Sequence, residues 1–332
     1  MNEKINIGIA GYGKMGEIRE QTISNNNNAN LISIFDSSKE IYNKDWIVCS
    51  SYEELLNSDI DAVFICAYVN VAAEYTLRAL KAGKHVFCEK PPAMSADELK
   101  EINEYLLESD QIIKYGFNHR FHHSVIKAKK LIDSGSMGRP LWMRGVYGKA
   151  GSLDFSLNWR SYKKYAGGGI LMDQGIHMLD LFRYFLGEEM EPIATHIDSL
   201  FWPIESEDNA FLILKSETGI ISTLHSSATQ WRHKFLLEMT FENGYINLDG
   251  ILSSTGSYSP EKLLYAYREE ENIDVAMGKP SENIIHFESD DSWDFELKEF
   301  LDAIQGVTEV RNGTAHDAYK IMKLLDSIYA YK

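Results

Sequence analysis

A glycine-rich turn between an apolar run and a helical pattern constrains the fold of this 332-residue chain most strongly. The run Ile5 to Ala10 leads directly into Gly11-Tyr12-Gly13-Lys14-Met15-Gly16, and apolar residues recur at helical spacing after it. The first glycine permits a tight turn, the second lets backbone approach a pyrophosphate, and the third lets the helix pack close to the strand. A glycine-rich turn without a ligand is the alternative interpretation, but the flanking strand and helix favour a dinucleotide site.

The residue that follows the second predicted strand supports this interpretation. Leu31 to Phe35 reads as a strand that ends at Asp36, 20 residues after Gly16. A carboxylate at this distance accepts hydrogen bonds from the ribose hydroxyls and repels a 2′-phosphate, so the pattern predicts NAD in preference to NADP. Lys39, three residues later, leaves NADP as the alternative.

Strands and helices continue to alternate up to residue 118. Two capping boxes, Ser51 to Glu54 and Ser95 to Glu98, each indicate the start of a helix. The other predicted elements are a strand at Ala62 to Cys66, a helix at Ala72 to Ala82, and strands at His85 to Phe87 and Ile112 to Gly116. This alternation predicts an α/β domain at residues 1–118 with a doubly wound parallel sheet of six strands, five of which are assigned to particular residues.

Lys90 lies at the carboxyl end of one of these strands. The apolar run that ends at Phe87 continues through Cys88 and Glu89 into Lys90-Pro91-Pro92, and the two prolines cannot extend a central strand. Ligands of open parallel sheets bind at this edge, so the ammonium group would be aimed at a substrate oxygen. Taken alone, the pattern is more typical of a surface lysine before a turn.

The pattern changes after residue 118. A helix from about Ser124 to Asp133 precedes strand-like runs at Leu141 to Tyr147, Ile193 to Leu200, Ala210 to Lys215, Ile220 to Ser226, Phe235 to Phe241 and Tyr245 to Leu248. Short turns join most of them, which predicts an α+β domain at residues 119–332 with a large open antiparallel sheet.

The outer face of this sheet and the end of the chain complete the second domain. Aromatic residues would be exposed on that face, so we expect it to be buried in a homodimer or homotetramer; they are Trp142, Phe201, Trp202 and Phe211. Residues 250–290 are polar and give no clear pattern. Two amphipathic helices, about Trp293 to Ile304 and His316 to Tyr331, close the chain, and the last one is a candidate to pack back on the first domain.

A second group of candidate catalytic residues follows three consecutive glycines. Gly167-Gly168-Gly169 allows close approach of a ligand or another segment, and a helical pattern then runs to about Leu186. Asp173, His177 and Asp180 would share one face of that helix. A structurally satisfied polar face, a metal site and an acid/base pair all fit this spacing, and a bound nicotinamide would favour the acid/base pair because hydride transfer requires a proton-transfer partner.

Two smaller signals concern arginine and histidine. Asn118-His119-Arg120 and Trp159-Arg160 would line a substrate crevice, although surface arginines are equally common. His119, His122 and His123 resemble a metal cluster, but polar residues at the start of a helix explain them better, and no metal is predicted.

Composition excludes several classes of partner. A formal charge of −16 and a pI of about 5.1 disfavour nucleic acid and anionic membrane surfaces. The first apolar run is too short for a signal peptide, and Cys49, Cys66 and Cys88 lie in or beside apolar strands, so we expect a cytoplasmic protein with reduced thiols.

These motifs, in this order, resemble the Gfo/Idh/MocA oxidoreductase family. The similarity rests on Gly11 to Gly16, Glu89-Lys90-Pro91, Asn118 to Phe121, Trp159-Arg160, and Gly167 to Gly169 with Asp173 and His177. It implies an N-terminal Rossmann domain, a C-terminal sheet used for oligomer contacts, and transfer of hydride between NAD and a secondary hydroxyl of a sugar, nucleotide-sugar or cyclitol. Two alternatives remain open, a glycoside hydrolase that oxidises transiently with NAD and a non-catalytic NAD-binding regulator.

The resemblance also implies residue roles and an active site in the crevice between the domains. Lys90, Asp173 and His177 would be catalytic. The cofactor would contact Gly11, Tyr12, Gly13, Lys14, Met15, Gly16, Asp36, Ser37, Ala67, Tyr68, Glu89 and Lys90. The substrate would contact Lys90, Asn118, Arg120, Trp159, Arg160, Asp173 and His177. One departure stands out, because Ala67-Tyr68-Val69 replaces the Thr-Pro-Asn that many members carry and Ala72 replaces a histidine.

Overall fold

Two separate β-sheets organise the chain in a computed structural model, which describes residues 4–38, 41, 45–151, 155–268 and 277–331. The chain forms two compact units. The first comprises Met1–Asn118, Lys164–Gly167 and Trp293–Lys323, and the second comprises His119–Lys163, Gly168–Ser292 and Leu324–Lys332.

The first unit contains a six-stranded parallel sheet with the strand order β3-β2-β1-β4-β5-β6. Its elements are β1 (Ile5–Ala10), α1 (Lys14–Ser24), β2 (Ala29–Phe35), β3 (Ile47–Cys49), α2 (Tyr52–Leu56), β4 (Ala62–Ile65), α3 (Val69–Lys81), β5 (His85–Glu89), α4 (Lys100–Leu106) and β6 (Ile113–Gly116). The predicted doubly wound sheet is confirmed. Strand β3 has no counterpart among the sequence predictions because it has only three residues, two of them exposed.

Aromatic stacking forms the centre of the first unit's core. The rings of Phe64 and Phe87 stack at 4.6 Å, and Phe300 meets them edge-on at 5.6 and 5.7 Å. Phe300 lies on helix α8 (Ser292–Ile304), so this late helix packs with the first unit although the sequence boundary places it after residue 118. The last helix, α9 (Ala315–Ala330), contributes residues to both units.

The second unit contains an eight-stranded sheet with the order β14-β13-β12-β11-β7-β10-β9-β8. Its elements are α5 (His123–Asp133), β7 (Pro140–Gly148), α7 (Ile176–Leu186), β8 (Met190–Asp198), β9 (Asn209–Ser216), β10 (Ile221–Ser227), β11 (Lys234–Phe241), β12 (Gly244–Asp249), β13 (Glu261–Tyr267) and β14 (Asn283–Phe287). Helix α6 (Lys163–Ala166) comes between β7 and α7 in the sequence but belongs, except for Lys163, to the first unit. Strands β13 and β14 lie within residues 250–290, for which no pattern was recognised.

One pair of strands departs from the predicted antiparallel arrangement of this sheet. Strands β7 and β10 pair in parallel, from Trp142 with Ile221 to Gly148 with Ser227, so the sheet is mixed. Parallel neighbours need a long crossover connection, and the chain supplies one between β7 and β8. The hairpins β8–β9, β9–β10, β11–β12 and β12–β13 are antiparallel as expected.

One face of this sheet packs against helices α5 and α7, and the other exposes apolar side chains. On the exposed face Trp142, Phe211 and Ile213 keep 41%, 42% and 40% of their surface in contact with solvent. Phe201 and Trp202 lie in the loop after β8, and the Trp202 indole donates to the Ala228 carbonyl at 2.9 Å. Within the described ranges, no helix is long and apolar enough to cross a membrane.

Candidate active site

The glycine turn of the first unit has the geometry of a dinucleotide site. Gly11 has a φ of +94°, and a Cβ there would lie 2.6 Å from the backbone of Cys66. A Cβ on Gly16 would lie 2.3 Å from the Gly11 carbonyl oxygen, which explains why helix and strand need a glycine at this contact. A Cβ on Gly13 would meet no described atom within 4 Å, so the backbone beside it is open to a pyrophosphate at the start of α1.

Asp36 lies against the same turn. One of its carboxylate oxygens accepts from the Tyr12 amide at 2.6 Å, and the other accepts from the Ser38 amide at 2.8 Å. The partly exposed carboxylate therefore has a fixed position beside the glycines, as a ribose-binding acid requires. These residues fit NAD. Ser37 follows on the surface, and Lys39, the residue that left NADP open, lies outside the described residues.

The remaining cofactor candidates surround the carboxyl ends of the strands. Lys14 and Met15 form the first turn of α1, with Lys14 exposed and Met15 half-buried. Ala67 and Tyr68 connect β4 to α3, and the Tyr68 ring lies 5.4 Å from that of Tyr165. The segment that departs from the family motif thus places the aromatic ring of Tyr68 at the carboxyl end of β4.

A buried ion network fixes the end of β5, directly before Lys90. Arg19 of α1 donates to Glu89 at 2.6 Å and to Glu296 of α8 at 2.5 Å, with its side chain fully buried. Its guanidinium also lies 4.2 Å from the centre of the Phe87 ring. Burial opposes the charge, but attraction to Glu89 and Glu296 raises the pKa of Arg19. Glu89 is therefore engaged in a structural network, while half-buried Lys90 follows it at the edge of the sheet.

In the second unit Asp173 is surrounded by basic groups. Its carboxylate pairs with Lys149, accepts from Arg160 at 3.2 Å, and accepts from the Gln174 amide at 3.2 Å. Asp173 lies in a π-helical turn, Leu171–Gly175, that precedes α7. Such turns often occur at functional sites.

The triple glycine before this turn accommodates other chain segments. A Cβ on Gly169 would lie 2.0 Å from the Glu207 carbonyl oxygen, and one on Gly168 would lie 2.2 Å from the Tyr329 hydroxyl. Glu207 in turn accepts from Tyr329 at 2.8 Å and from the Leu171 amide at 3.1 Å. Of the two roles predicted for the glycines, these contacts favour close packing of another segment.

His177 belongs to a buried cluster of rings. It is 4% exposed, and its ring stacks on that of His119 at 3.7 Å. His119 shares a hydrogen bond of 2.9 Å with the Tyr147 hydroxyl, and the Tyr147 ring lies 6.2 Å from His177. Burial, with smaller contributions from Tyr258 and Asp173, raises the pKa of Tyr147 well above its usual value. The cluster therefore places two imidazole rings and a phenol hydroxyl within stacking and hydrogen-bonding distance of one another, as a proton-transfer site requires.

Asp180 does not act with Asp173 and His177 as one helix face. Its carboxylate forms a buried bidentate pair with Arg120, at 2.8 and 2.6 Å. The π-helical turn changes the spacing that a regular helix would give. The contacts of Arg120 favour a structural role, and its predicted contact with substrate stays a prediction.

The other candidate residues are dispersed. Asn118 is buried at the end of the first unit, and the Arg160 guanidinium lies 4.4 Å from the centre of the Trp159 ring. His122 bonds Glu261 at 3.0 Å and His123 bonds Asp291 at 2.7 Å. In the described part of the chain, no group of three or more His, Cys, Asp or Glu side chains is placed to hold a metal ion.

Sequence reasoning missed Lys149, Tyr147 and Arg19. Lys149 directly follows β7, but no proline follows it and its sheet was predicted to be antiparallel, so the rule that singled out Lys90 did not apply. Tyr147 looks like an ordinary strand residue, and Arg19 looks like a surface residue of α1. Only contacts between distant parts of the chain reveal their roles.

Comparison with known proteins settles the family. Residues 5–117 match the model for the oxidoreductase family with an NAD-binding Rossmann fold, and residues 125–247 match the GFO/IDH/MocA C-terminal domain. The uncharacterized oxidoreductase YrbE of Bacillus subtilis is 30% identical over 239 residues, which cover 68% of each chain. The chain belongs to the Gfo/Idh/MocA family. It is an oxidoreductase whose first unit is an NAD-binding Rossmann domain, so the predictions of family, fold class, enzyme class and cofactor are confirmed.

Two further relatives show the range of this family. Myo-inositol 2-dehydrogenase of Thermotoga maritima is 27% identical over 261 residues, covering 75% of this chain and 76% of that protein. The structure of levoglucosan dehydrogenase in complex with NADH and L-sorbose superposes with a TM-score of 0.83 at 20% identity, covering 99% of this chain and 98% of that one. At this identity the superposition establishes a shared fold.

Proposed function

We propose that this Gfo/Idh/MocA protein reversibly oxidises a secondary hydroxyl group on a polyhydroxylated ring, such as a sugar, nucleotide-sugar or cyclitol. The observation that carries the proposal is the buried cluster of His177, His119 and Tyr147 beside the Asp173 network, in a chain that also has an NAD-binding turn. Relatives named for myo-inositol and levoglucosan support this substrate class.

NAD supplies the acceptor for the hydride that leaves the carbinol carbon. His177 takes the hydroxyl proton, so the C–O bond becomes a carbonyl while the proton stays on the imidazole. Lys90 donates a hydrogen bond to the same oxygen and stabilises the negative charge that develops on it. His119 holds the His177 ring by stacking, and Tyr147 holds His119 through its hydroxyl.

Asp173 has a different part in this proposal from Lys90 and His177. Its carboxylate holds Lys149 and Arg160, two cations that would otherwise repel each other. Trp159 and Arg160 would contact the ring of the substrate through an aromatic surface and hydroxyl-directed hydrogen bonds.

We further propose that the protein is a homo-oligomer that buries the exposed face of the second sheet. Trp142, Phe211 and Ile213 lie on strands of that face. Burial of a contiguous apolar face is the usual way in which such a surface is protected from solvent. Analytical ultracentrifugation tests this, and Phe211→Asp should shift the protein toward a smaller species. The cytoplasmic location stays a prediction.

The proposed reaction is tested by measuring NADH formation with a panel of cyclitols, free sugars and nucleotide-sugars. We expect at least one ring polyol to be oxidised with stoichiometric NADH and to raise the melting temperature of the NAD-bound protein. Turnover of glycosides without net NADH would instead support a hydrolase. Binding of NAD with no response to any ring polyol would contradict the proposal.

A further inference from the structure

A second concave site lies in the second unit, beside the cluster that contains His177. The cavity has a volume of about 520 Å³ and lies between the start of β11 and the turn from β12 to β13. Its walls combine basic and aromatic side chains, notably Arg232, His233, Lys234, Tyr258 and Lys262. Nothing in the proposed mechanism uses this space.

The cavity is positively charged although the chain carries a formal charge of −16. Lys262 pairs with Asp249 at 2.7 Å, which neutralises one lysine. Arg232 and Lys234 make no side-chain hydrogen bond or ion pair with any described residue, and both are exposed at the cavity. Among the described residues, two cations without an acidic partner therefore lie on one wall of the cavity.

Tyr258 links this cavity to the proton-transfer cluster. Its ring meets that of His233 at 4.7 Å on one side and that of Tyr147 at 5.4 Å on the other. Tyr147 lies 6.2 Å from His177. Burial and then the negative charge of Asp173 raise the pKa of Tyr258. Burial and then the positive charge of Lys149 lower the pKa of His233, so both groups are neutral hydrogen-bonding groups near pH 7.

Two local features indicate a site that is built for a ligand. The Tyr258 hydroxyl is buried and finds no hydrogen-bond partner among the described residues, which leaves a donor available in the cavity wall. Trp231, the residue before Arg232, has a φ of +54°, a conformation that costs energy for a residue other than glycine. Such strain persists where the surrounding structure holds a side chain in a required position.

We propose that this cavity binds an anionic substituent of the substrate, a phosphate or a carboxylate, so that the preferred substrate is an acidic derivative of the ring. Arg232 and Lys234 would pair with the oxyanion, and Tyr258 and His233 would complete its hydrogen bonds. The inference rests on the proposed function, because it assigns the cavity to the same substrate that His177 oxidises. Neutral cyclitols and free sugars would then be poorer substrates.

The kinetic test compares compounds that share one ring. NADH formation is measured with D-glucose, D-glucose 6-phosphate, D-glucuronate and UDP-glucose. We expect kcat/KM for at least one anionic compound to exceed that for glucose about tenfold or more, because hydrogen bonds between ions are the strong ones. The phosphate, carboxylate or diphosphate that performs best identifies the source of the charge. A highest kcat/KM for neutral glucose would overturn the proposal.

Variants assign the effect to the cavity. R232Q/K234Q should raise KM for the preferred anionic compound about tenfold or more. K127Q/K130Q is the matched control, because it removes two exposed lysines from α5 and changes the net charge by the same amount. It should leave KM within about twofold. Equal effects of the two double variants would show only a general charge effect and would overturn the assignment.

A binding measurement separates this inference from the proposed function. Pyrophosphate is titrated into the wild-type protein and both double variants, each saturated with NAD so that the glycine turn is occupied, and the melting temperature is recorded. A rise in the wild type and in K127Q/K130Q, absent in R232Q/K234Q, supports the anion site even if no sugar in the series is oxidised. No rise in the wild type overturns it, whatever the kinetics show.

Discussion

The two charged networks next to the candidate catalytic residues differ in how far they are closed to solvent. In the first unit Arg19, Glu89 and Glu296 have side-chain exposures of 0%, 8% and 0%. In the second unit Lys149, Asp173 and Arg160 have exposures of 22%, 15% and 35%. Both networks contain one acidic group beside a candidate catalytic residue, but only the second leaves room for a ligand.

This difference in solvent exposure indicates that the two networks have different roles. A fully buried network cannot exchange partners with a substrate, so its role is to hold the end of β5 from which Lys90 projects. A partly exposed network can exchange partners, so Asp173 and Arg160 remain available to a bound ring. We therefore expect substitutions in the first network to act mainly on stability and substitutions in the second to act mainly on turnover.

The largest expected effect is on stability, from Arg19→Met. Loss of the guanidinium leaves Glu89 and Glu296 buried without their common cation, which should lower the free energy of unfolding by about 3–5 kcal/mol. Arg144→Met is the control, because Arg144 pairs with Glu238 while 59% of its side chain is exposed, and we expect a loss of about 1 kcal/mol or less. Urea unfolding measures both, and equal losses would contradict the distinction between closed and open networks.

Glu261, another acidic residue of the second unit, extends the comparison to the pH dependence of stability. Glu261 is buried, and although burial opposes its charge, His122 and the Ser124 and Leu252 amides lower its pKa to about 2. A lowered pKa stabilises the folded state above pH 4.5 and loses that contribution as the pH falls toward 2. This amounts to roughly 3 kcal/mol.

The free energy of unfolding measured from pH 6 down to pH 2 tests this sign. The wild type should lose more stability over this range than Glu261→Gln, which has no carboxylate to protonate. Parallel curves for the two proteins would show that Glu261 keeps its ordinary pKa in the folded state.

Substitution of the partly exposed Asp173 and of the buried Asp180 tests the comparison within a single helical segment. Asp173→Asn should lower kcat about 100-fold, because Lys149 and Arg160 lose their common partner and the ring of the substrate is no longer held in place. Asp180→Asn should instead destabilise the fold by about 3 kcal/mol, because it leaves Arg120 buried with its charge unpaired. Steady-state kinetics and thermal unfolding are measured for both variants. Loss of turnover in Asp180→Asn together with loss of stability in Asp173→Asn would assign the functional carboxylate to Asp180.

The smallest expected effect concerns the cofactor. Asp36→Asn should weaken NAD binding about tenfold and reduce the preference for NAD over NADP, because the acceptor for the ribose hydroxyls is weakened and the repulsion of a 2′-phosphate is lost. Asp61→Asn is the control, since the Asp61 carboxylate also accepts from a backbone amide, that of Asn6 at 2.8 Å. Fluorescence titration with both nucleotides measures the effect. Tighter binding of NADP than NAD by the wild type would refute the role of Asp36.

The fold of the first unit could be predicted from the sequence because the motifs that indicate it are local. The glycine turn, Asp36 and the capping residue Ser51, whose side chain accepts from the Glu54 amide, all act within one or two neighbouring elements. Alternating strands and helices then leave few ways to build a parallel sheet.

The fold and the site of the second unit could be predicted less completely because the contacts that determine them join residues far apart in the sequence. The parallel pairing of β7 with β10 joins residues about 80 positions apart, and no local pattern encodes it. The pairing of Lys149 with Asp173 spans 24 residues, and the π-helical turn breaks the helical spacing from which a shared face was predicted. His177 was found from its motif, whereas His119, whose ring stacks on it, was predicted only as part of a segment that lines a substrate crevice.

The most direct test of the account is the kinetic comparison of His177→Ala and Lys90→Ala with His286→Ala and Lys127→Ala, exposed residues outside the candidate site. On a ring polyol that the wild type oxidises, the account predicts that each of the first two substitutions lowers kcat/KM about 100-fold or more. The two controls should retain wild-type kcat/KM. Near wild-type turnover by either His177→Ala or Lys90→Ala would contradict the account.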